Sequence, residues 1–307
     1  MAVELTGITL GLVLASVSAV LWAVQFLCIR LGTDDGQVTD AVLVTLLSNI
    51  VLLTPIVLVL YAGELSTLFT PYSLFAFAAA GVAGSLVARL LMYRSIETIG
   101  ASRTSPVISA NVFFATILAV VFLDERLTGT HLLGIVLIVG GVAVISWETA
   151  SSAEPDQSIR DLGLSLALPV GAAAAIGVEP IFVSMGLAAG TPVIPGVLFM
   201  TFVGTIGFVG YLVWHRAPVQ VPLQSATMGW YLGAGVSSTF ALVAYFGALE
   251  VAPVVVVIPL LQTTPLLVVV LSALFLPQRL ERVTPAVIAA AVVVVVGAAL
   301  VSISGSL

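Results

Sequence analysis

Apolar runs long enough to cross a hydrocarbon core of about 30 Å follow one another along the whole chain. Short clusters of Pro, Gly, Asp and Thr part them. Matching the runs against their breakers predicts helical spans at roughly 8–31, 39–61, 72–96, 103–122, 129–147, 161–187, 192–214, 228–249, 253–275 and 284–303. The punctuation is brief: Thr33-Asp34-Asp35-Gly36 follows the first span and Thr70-Pro71 precedes the third. The longest polar stretch, ETASSAEPDQSIRD from Glu148, has the Ser, Glu, Asp and Pro content of a linker. It divides the spans five and five, into a first module over 1–147, a linker over 148–160 and a second module over 161–307.

The two sets match in sequence as well as in order. At an offset of 153, Ser85 pairs with Ser238, Glu97 with Glu250, Pro106 with Pro259, and Phe122, Arg126 and Leu127 with Phe275, Arg279 and Leu280. The first spans align at 154, Gln25 with Glu179, and the last at 156, Gly141 with Gly297. FLDERL at 122–127 and FLPQRL at 275–280 are thus the same hairpin written twice. A repeat of five spans ends on the opposite side of a membrane from its start, so its copy runs upside down. Inverted repeats of this kind place a site near the midplane and let the halves exchange access. The expected fold class is an all-α polytopic membrane protein, ten transmembrane helices in two inverted five-helix repeats.

Composition strengthens that reading. Of 307 residues 60% are apolar and 8% charged, with a mean hydropathy of +1.24, whereas soluble domains carry roughly 25% charged residues. A multi-pass protein of the plasma membrane, embedded in the lipid bilayer, is the expectation. The first apolar run lacks a basic leader and is too long for the core of a signal peptide. All nine basic residues are Arg, against fifteen acids, for a net charge of −6. That balance argues against a nucleic-acid partner. Adaptation to a salt-rich medium and codon usage that disfavours Lys both explain it. The single cysteine, Cys28, allows no internal disulfide and reads as a small buried residue.

Glu125-Arg126-Leu127 closes the fourth span and a Gly-rich fifth, GIVLIVGGVAVIS at 134–146, follows it. With YRSIETIGASRTSPVISANVFF at 93–114, these stretches resemble the EamA-type module, the repeated unit of the drug/metabolite transporter superfamily. The resemblance covers almost the whole chain as two modules and is stronger over 81–146 than over 234–303. Pro277-Gln278 stands where the first module has Asp124-Glu125, which confines any role of that carboxylate to one half. The resemblance implies a ten-helix carrier for small metabolites and leaves the cargo open.

Two ionisable groups fall deep within spans, where each costs about 2.5–3.5 kcal/mol without a partner or a wet cavity. Arg89 lies past the middle of the third span and Glu179 past the middle of the sixth. The two spans run in opposite directions, which places the groups about 15 Å apart along the membrane normal and argues against a direct salt bridge. Two half-sites are expected instead. A cationic one joins Arg89 to Gln25, Ser85, Tyr93, Ser109 and Asn111, with Ser85, Arg89 and Tyr93 on one helix face. An anionic one joins Glu179 to Ser238, Phe246, Gln262, Thr263 and Thr264, and there Leu242 replaces Arg89. Such a cavity suits a zwitterionic or amphiphilic small molecule.

Structural readings compete. Arg89 can snorkel to the interface, and Glu179 can bond a turn broken by Pro180. Glu97 and Glu250 sit near span ends, as solvated or hairpin-closing groups. Trp22, deeper than the other tryptophans, is a candidate cavity residue. Gly134 and Gly141, seven apart on one face, fit close helix packing within the monomer, with dimerisation the lesser reading.

The leading function is a secondary permease or exporter. Proton coupling would need a carboxylate in the pathway, for which Glu179 is the candidate; uncoupled exchange is equally open. A membrane signalling or assembly subunit is the alternative. An intramembrane enzyme is remote, because GxxxxGK[ST], HExxH and GxSxG are all missing from the sequence. No catalytic residue, metal or cofactor is expected. Loops after odd-numbered spans carry Arg30, Arg94, Arg103, Arg160, Arg216, Arg279 and Arg282, and those after even-numbered spans carry Arg126. The positive-inside rule therefore puts the termini outside, and the family resemblance puts them inside.

Overall fold

The computed structural model describes residues 2–33, 37–99, 107–108, 110–150, 167–215, 226–275 and 285–304. All regular structure among the described residues is helical. The elements are α1 (Ala2–Gly32), α2 (Val38–Leu60), α3 (Pro71–Ala80), a π-helical segment π1 (Gly81–Ala88), α4 (Arg89–Ile99), α5 (Asn111–Phe122) and α6 (Gly129–Ala150). There follow α7 (Ala167–Ala188), α8 (Val193–His215), α9 (Ala226–Val251), α10 (Val254–Leu261), α11 (Thr264–Phe275) and α12 (Pro285–Ser304). Most of the predicted linker lies outside the described residues.

Several ends follow directly from residue chemistry. Thr70 opens α3 with a capping box: its hydroxyl accepts from the Ser73 N–H at 3.1 Å, and the Ser73 hydroxyl accepts from the Thr70 N–H at 3.0 Å. Pro71 at the first helical position lacks a donor the helix has no use for. The predicted third span is one continuous rod, α3–π1–α4, wound wider over Gly81–Ala88. The predicted ninth span is broken at Gln262–Thr263 into α10 and α11. There the Thr263 and Thr264 hydroxyls donate to the Leu260 and Leu261 carbonyls, 2.7 and 2.6 Å away.

Six helical stretches among the described residues are long and apolar enough to cross a membrane: Gly7–Gly32, Thr39–Leu60, Pro71–Met92, Ala167–Ala188, Val193–His215 and Thr227–Val251. Four apolar helices are shorter: Asn111–Phe122, Gly129–Val144, Val254–Val268 and Val292–Val301. Their outer faces are oily, with Val59 76%, Val213 72% and Leu274 71% exposed. Water would not tolerate so much bare aliphatic surface, and lipid covers it without cost.

The main helix pairings recur when the two halves are exchanged. The first helix of each half lies on the third of the other, α1 on α9 and α7 on α3–π1–α4. Likewise α2 meets α9 as α8 meets α3–π1, and α5 meets α7 as α11 meets α1. The pairs α2·α8 and α6·α12 map onto themselves. At the α6–α12 seam a methyl group on Gly134 would lie 2.7 Å from the Gly297 carbonyl oxygen, and one on Gly141 would lie 2.8 Å from that of Ala290. The predicted glycine face therefore packs within the chain, where the absent side chains let two backbones approach.

Candidate substrate site at the module boundary

The helix α7 carries Glu179 to the centre of the molecule. Gly177, two residues earlier and on the opposite side of the helix, packs on the start of α5: a methyl there would lie 2.9 Å from the Asn111 carbonyl oxygen. The Glu179 carboxylate itself rests on the bare backbone of Gly84, within π1, and any larger residue there would occupy the same space. Arg89, the first residue of α4, is close enough for its charge to act on Glu179. Tyr245 from α9 is close enough to feel the charge of Glu179 in turn.

Aromatic rings continue the site. Tyr245 meets Trp22 of α1 at 5.4 Å between ring centres and Phe246 at 5.8 Å, edge on. Phe246 in turn stacks on Phe77 of α3 at 6.0 Å. These rings tie α1, α3 and α9 together beside the carboxylate. A second polar contact joins the modules: the Gln262 amide donates to Asn111 Oδ1 at 3.1 Å, and the Asn111 amide donates to the Ile108 carbonyl at 2.9 Å. Asn111 thus bridges the break before α5 to the break before α11.

The geometry revises two expectations and links the half-sites. Arg89 and Glu179 are not held about 15 Å apart. The Glu179 carboxylate contacts Gly84, five residues before Arg89, and the Arg89 charge acts on it. The two expected half-sites touch, since the Gln262 amide of one donates to Asn111 of the other. Finally, α7 passes through Pro180 unbroken, so Glu179 has no broken turn to bond.

The remaining predicted residues are placed as follows. Gln25 is buried on α1, Ser85 is buried in π1 against Gly204 of α8, and Ser238 is buried on α9. Thr263 and Thr264 spend their hydroxyls on the α10 carbonyls. Tyr93 lies on α4 with its side chain outside the described residues, as does Ser109 altogether. Trp22 does contact the aromatic set, through Tyr245.

Three features went unread in the sequence. The Glu125 carboxylate accepts from the N–H groups of Val254 and Val255, at 2.8 and 2.9 Å, capping α10 of the other module. Within the membrane, the Thr239 hydroxyl donates to Asn49 Oδ1 at 2.7 Å, joining α9 to α2. Two cavities also open near Glu250. One of about 260 Å³ is lined by Leu123, Glu125, Ser184, Leu187, Leu249 and Glu250 among others. The other, about 670 Å³, runs between α1, α8 and α9 from Tyr61 and Glu250. None of the residues proposed for substrate from sequence lines either cavity.

Oily outer faces, paired halves and a polar centre define a polytopic membrane protein assembled from two like-ordered sets of helices. The EamA-like transporter family matches the chain twice, over residues 9–147 and 162–303, and the chain belongs to that family. Membership implies a membrane transporter of the drug/metabolite superfamily, a family of transporters rather than enzymes. Among curated proteins none matches the sequence. A solved crystal structure of a protein 15% identical to this chain superposes with a TM-score of 0.77, over 96% of this chain and 97% of that one. At that identity the likeness speaks for the fold alone.

Proposed function

We propose that the chain is a secondary carrier that moves small organic metabolites across the plasma membrane by alternating access between two inverted repeats of five spans each. The observation that carries this reading is the exchange symmetry of the packing, in which α1 on α9 is matched by α7 on α3–π1–α4. A bundle whose halves are interchangeable has two equivalent ways to lean, and these correspond to opening toward either side. The substrate contacts proposed are Glu179 and Arg89 first, with Gln25, Ser85, Tyr93, Ser109, Asn111, Ser238, Gln262, Thr263 and Thr264 along the same path. A carboxylate and a guanidinium beside aromatic rings suit a small zwitterion with an apolar part.

The test is uptake of a metabolite panel into vesicles reconstituted with the wild-type chain, Arg89→Ala and Glu179→Gln. Saturable flux by the wild type, lost in both variants, supports the carrier and its site. Undiminished flux in both variants removes the site. Absence of flux for the whole panel favours a signalling or assembly subunit. Recording internal pH during flux separates proton coupling from uncoupled exchange.

A further inference from the structure

The cavity of about 670 Å³ has its polar groups at one end only. Tyr61 caps the C-terminus of α2, and Glu250 is the exposed penultimate residue of α9. Gly7 and Gly11 of α1 face Val251 and Ala252, so Glu250 lies level with the first turns of the span Gly7–Gly32, at the membrane surface. From there the walls turn apolar and run inward: Leu14, Val17 and Leu21 on α1, Phe240, Val243 and Gly247 on α9. Ten residues separate Glu250 from Phe240, which is about 15 Å of helix. Val17 and Phe240 are 44% and 58% exposed, so the trough opens sideways toward lipid.

Size, polarity gradient and charge together select the occupant. The volume lies within the roughly 300–1,000 Å³ usual for small-molecule sites. A compact polar solute would leave most of this wall unused, whereas a molecule with one polar end and a chain of about 12–15 Å fills it, as the helix rise measures. Among the described residues the only ionisable groups in the lining are the Glu250 carboxylate and the Tyr61 hydroxyl, with no Arg or His. An anionic or phosphate-bearing head would therefore meet an uncompensated carboxylate. The smaller cavity shares Glu250 and adds the carboxylate of Glu125, which strengthens the preference for a cation.

We propose that this trough binds an amphiphilic organic cation, its ammonium on Glu250 and its apolar chain along α1 and α9, taken up sideways from the bilayer. The role of such a molecule as cargo rests on the carrier reading above; the binding itself does not.

The experiment measures saturable binding of tritiated decyltrimethylammonium to the full chain in phosphatidylcholine nanodiscs, with empty nanodiscs subtracted. Variants are Glu250→Gln, which removes the charge, and Val243→Trp, which fills the trough and leaves Glu250 in place. Each is first shown monodisperse and as thermostable as the wild type. Expected are one-site binding, no competition by decyl sulfate, Kd raised about tenfold in Glu250→Gln through loss of a charge-assisted contact, and binding abolished in Val243→Trp. Unchanged affinity in Glu250→Gln, equal competition by decyl sulfate, or displacement by phosphatidylethanolamine in the nanodisc would each overturn the proposal. Binding without flux in sealed vesicles keeps this site and removes the carrier; flux of other solutes without binding keeps the carrier and removes this site.

Discussion

Glu125 and Val254 lie on opposite sides of the repeat, and the Glu125 carboxylate accepts a hydrogen bond of 2.8 Å from the Val254 N–H. With the second bond from Val255, at 2.9 Å, one side chain of the first module satisfies two of the orphan donors at the start of α10. Pro253 precedes them and has no donor of its own. The FLDERL hairpin is therefore a cross-module clasp as well as a turn. Its counterpart FLPQRL carries an amide, Gln278, where the first half carries the carboxylate.

Removing that clasp has a calculable cost. Glu125→Ala loses both acceptors and is expected to destabilise the protein by about 1–2 kcal/mol. Glu125→Gln keeps one acceptor oxygen and costs less. Thermal unfolding in mild detergent, followed through the tryptophans, reads the order wild type, Gln, Ala. Equal melting of Ala and wild type would show that the clasp carries no load.

The same carboxylate sets a pH dependence. Burial pushes the Glu125 carboxyl above the ordinary carboxylate range, and the two backbone donors pull it part of the way back. The folded protein then holds a proton on Glu125 at pH values where the unfolded chain, near about 4.3, has released it. Folding binds more protons in that window, so this group's contribution to stability falls as pH rises from about 4.3 through the raised value. The wild-type melting temperature should drop across that window more than that of Glu125→Gln. Parallel curves would assign the drop to other groups.

Gly84 and Glu179 make a pair whose removal should be non-additive. A methyl group at Gly84 meets the Glu179 carboxylate directly. Gly84→Ala alone is expected to cost about 1–3 kcal/mol by overpacking and to impair flux. Glu179→Ala clears the space, so the double variant should recover stability relative to the sum of the singles. Additive losses would mean that the carboxylate swings aside freely.

How much of this was legible in the chain depended on the kind of signal. Pro71, Pro106 and Pro259, the repeated FLxxRL hairpin and the glycines at 134 and 141 are local marks, and they pointed to spans, a repeat and a closely packed helix face, though not to α12 as its partner. The family model matches the chain twice, over residues 9–147 and 162–303. Depth was harder, because an apolar boundary drifts by a turn where Leu, Ala and Val run on. The expected depths set Arg89 and Glu179 apart along the normal, yet the Glu179 carboxylate lies on Gly84, five residues before Arg89. Contacts such as Glu125 with Val254, or Asn49 with Thr239, join residues 129 and 190 apart, and no periodicity announces them.

Asn111 and Gln262 provide the last prediction. Their bond of 3.1 Å is the polar contact that joins the two helix breaks, one from each module. A hydrogen bond within a membrane protein averages about 0.6 kcal/mol and reaches about 1.7, so Asn111→Leu and Gln262→Leu should couple by that order in a thermal double-mutant cycle. Flux should respond more strongly than stability. If the halves lean against each other as they exchange access, this contact is made on one side of the cycle and loosened on the other, and its loss shifts the balance between the two states. The expected readout is a change in vesicle flux when the direction of the substrate gradient is reversed, with the two single variants and the double variant behaving alike. Stability coupling with symmetric, wild-type flux in both directions would make the pair a structural tie only.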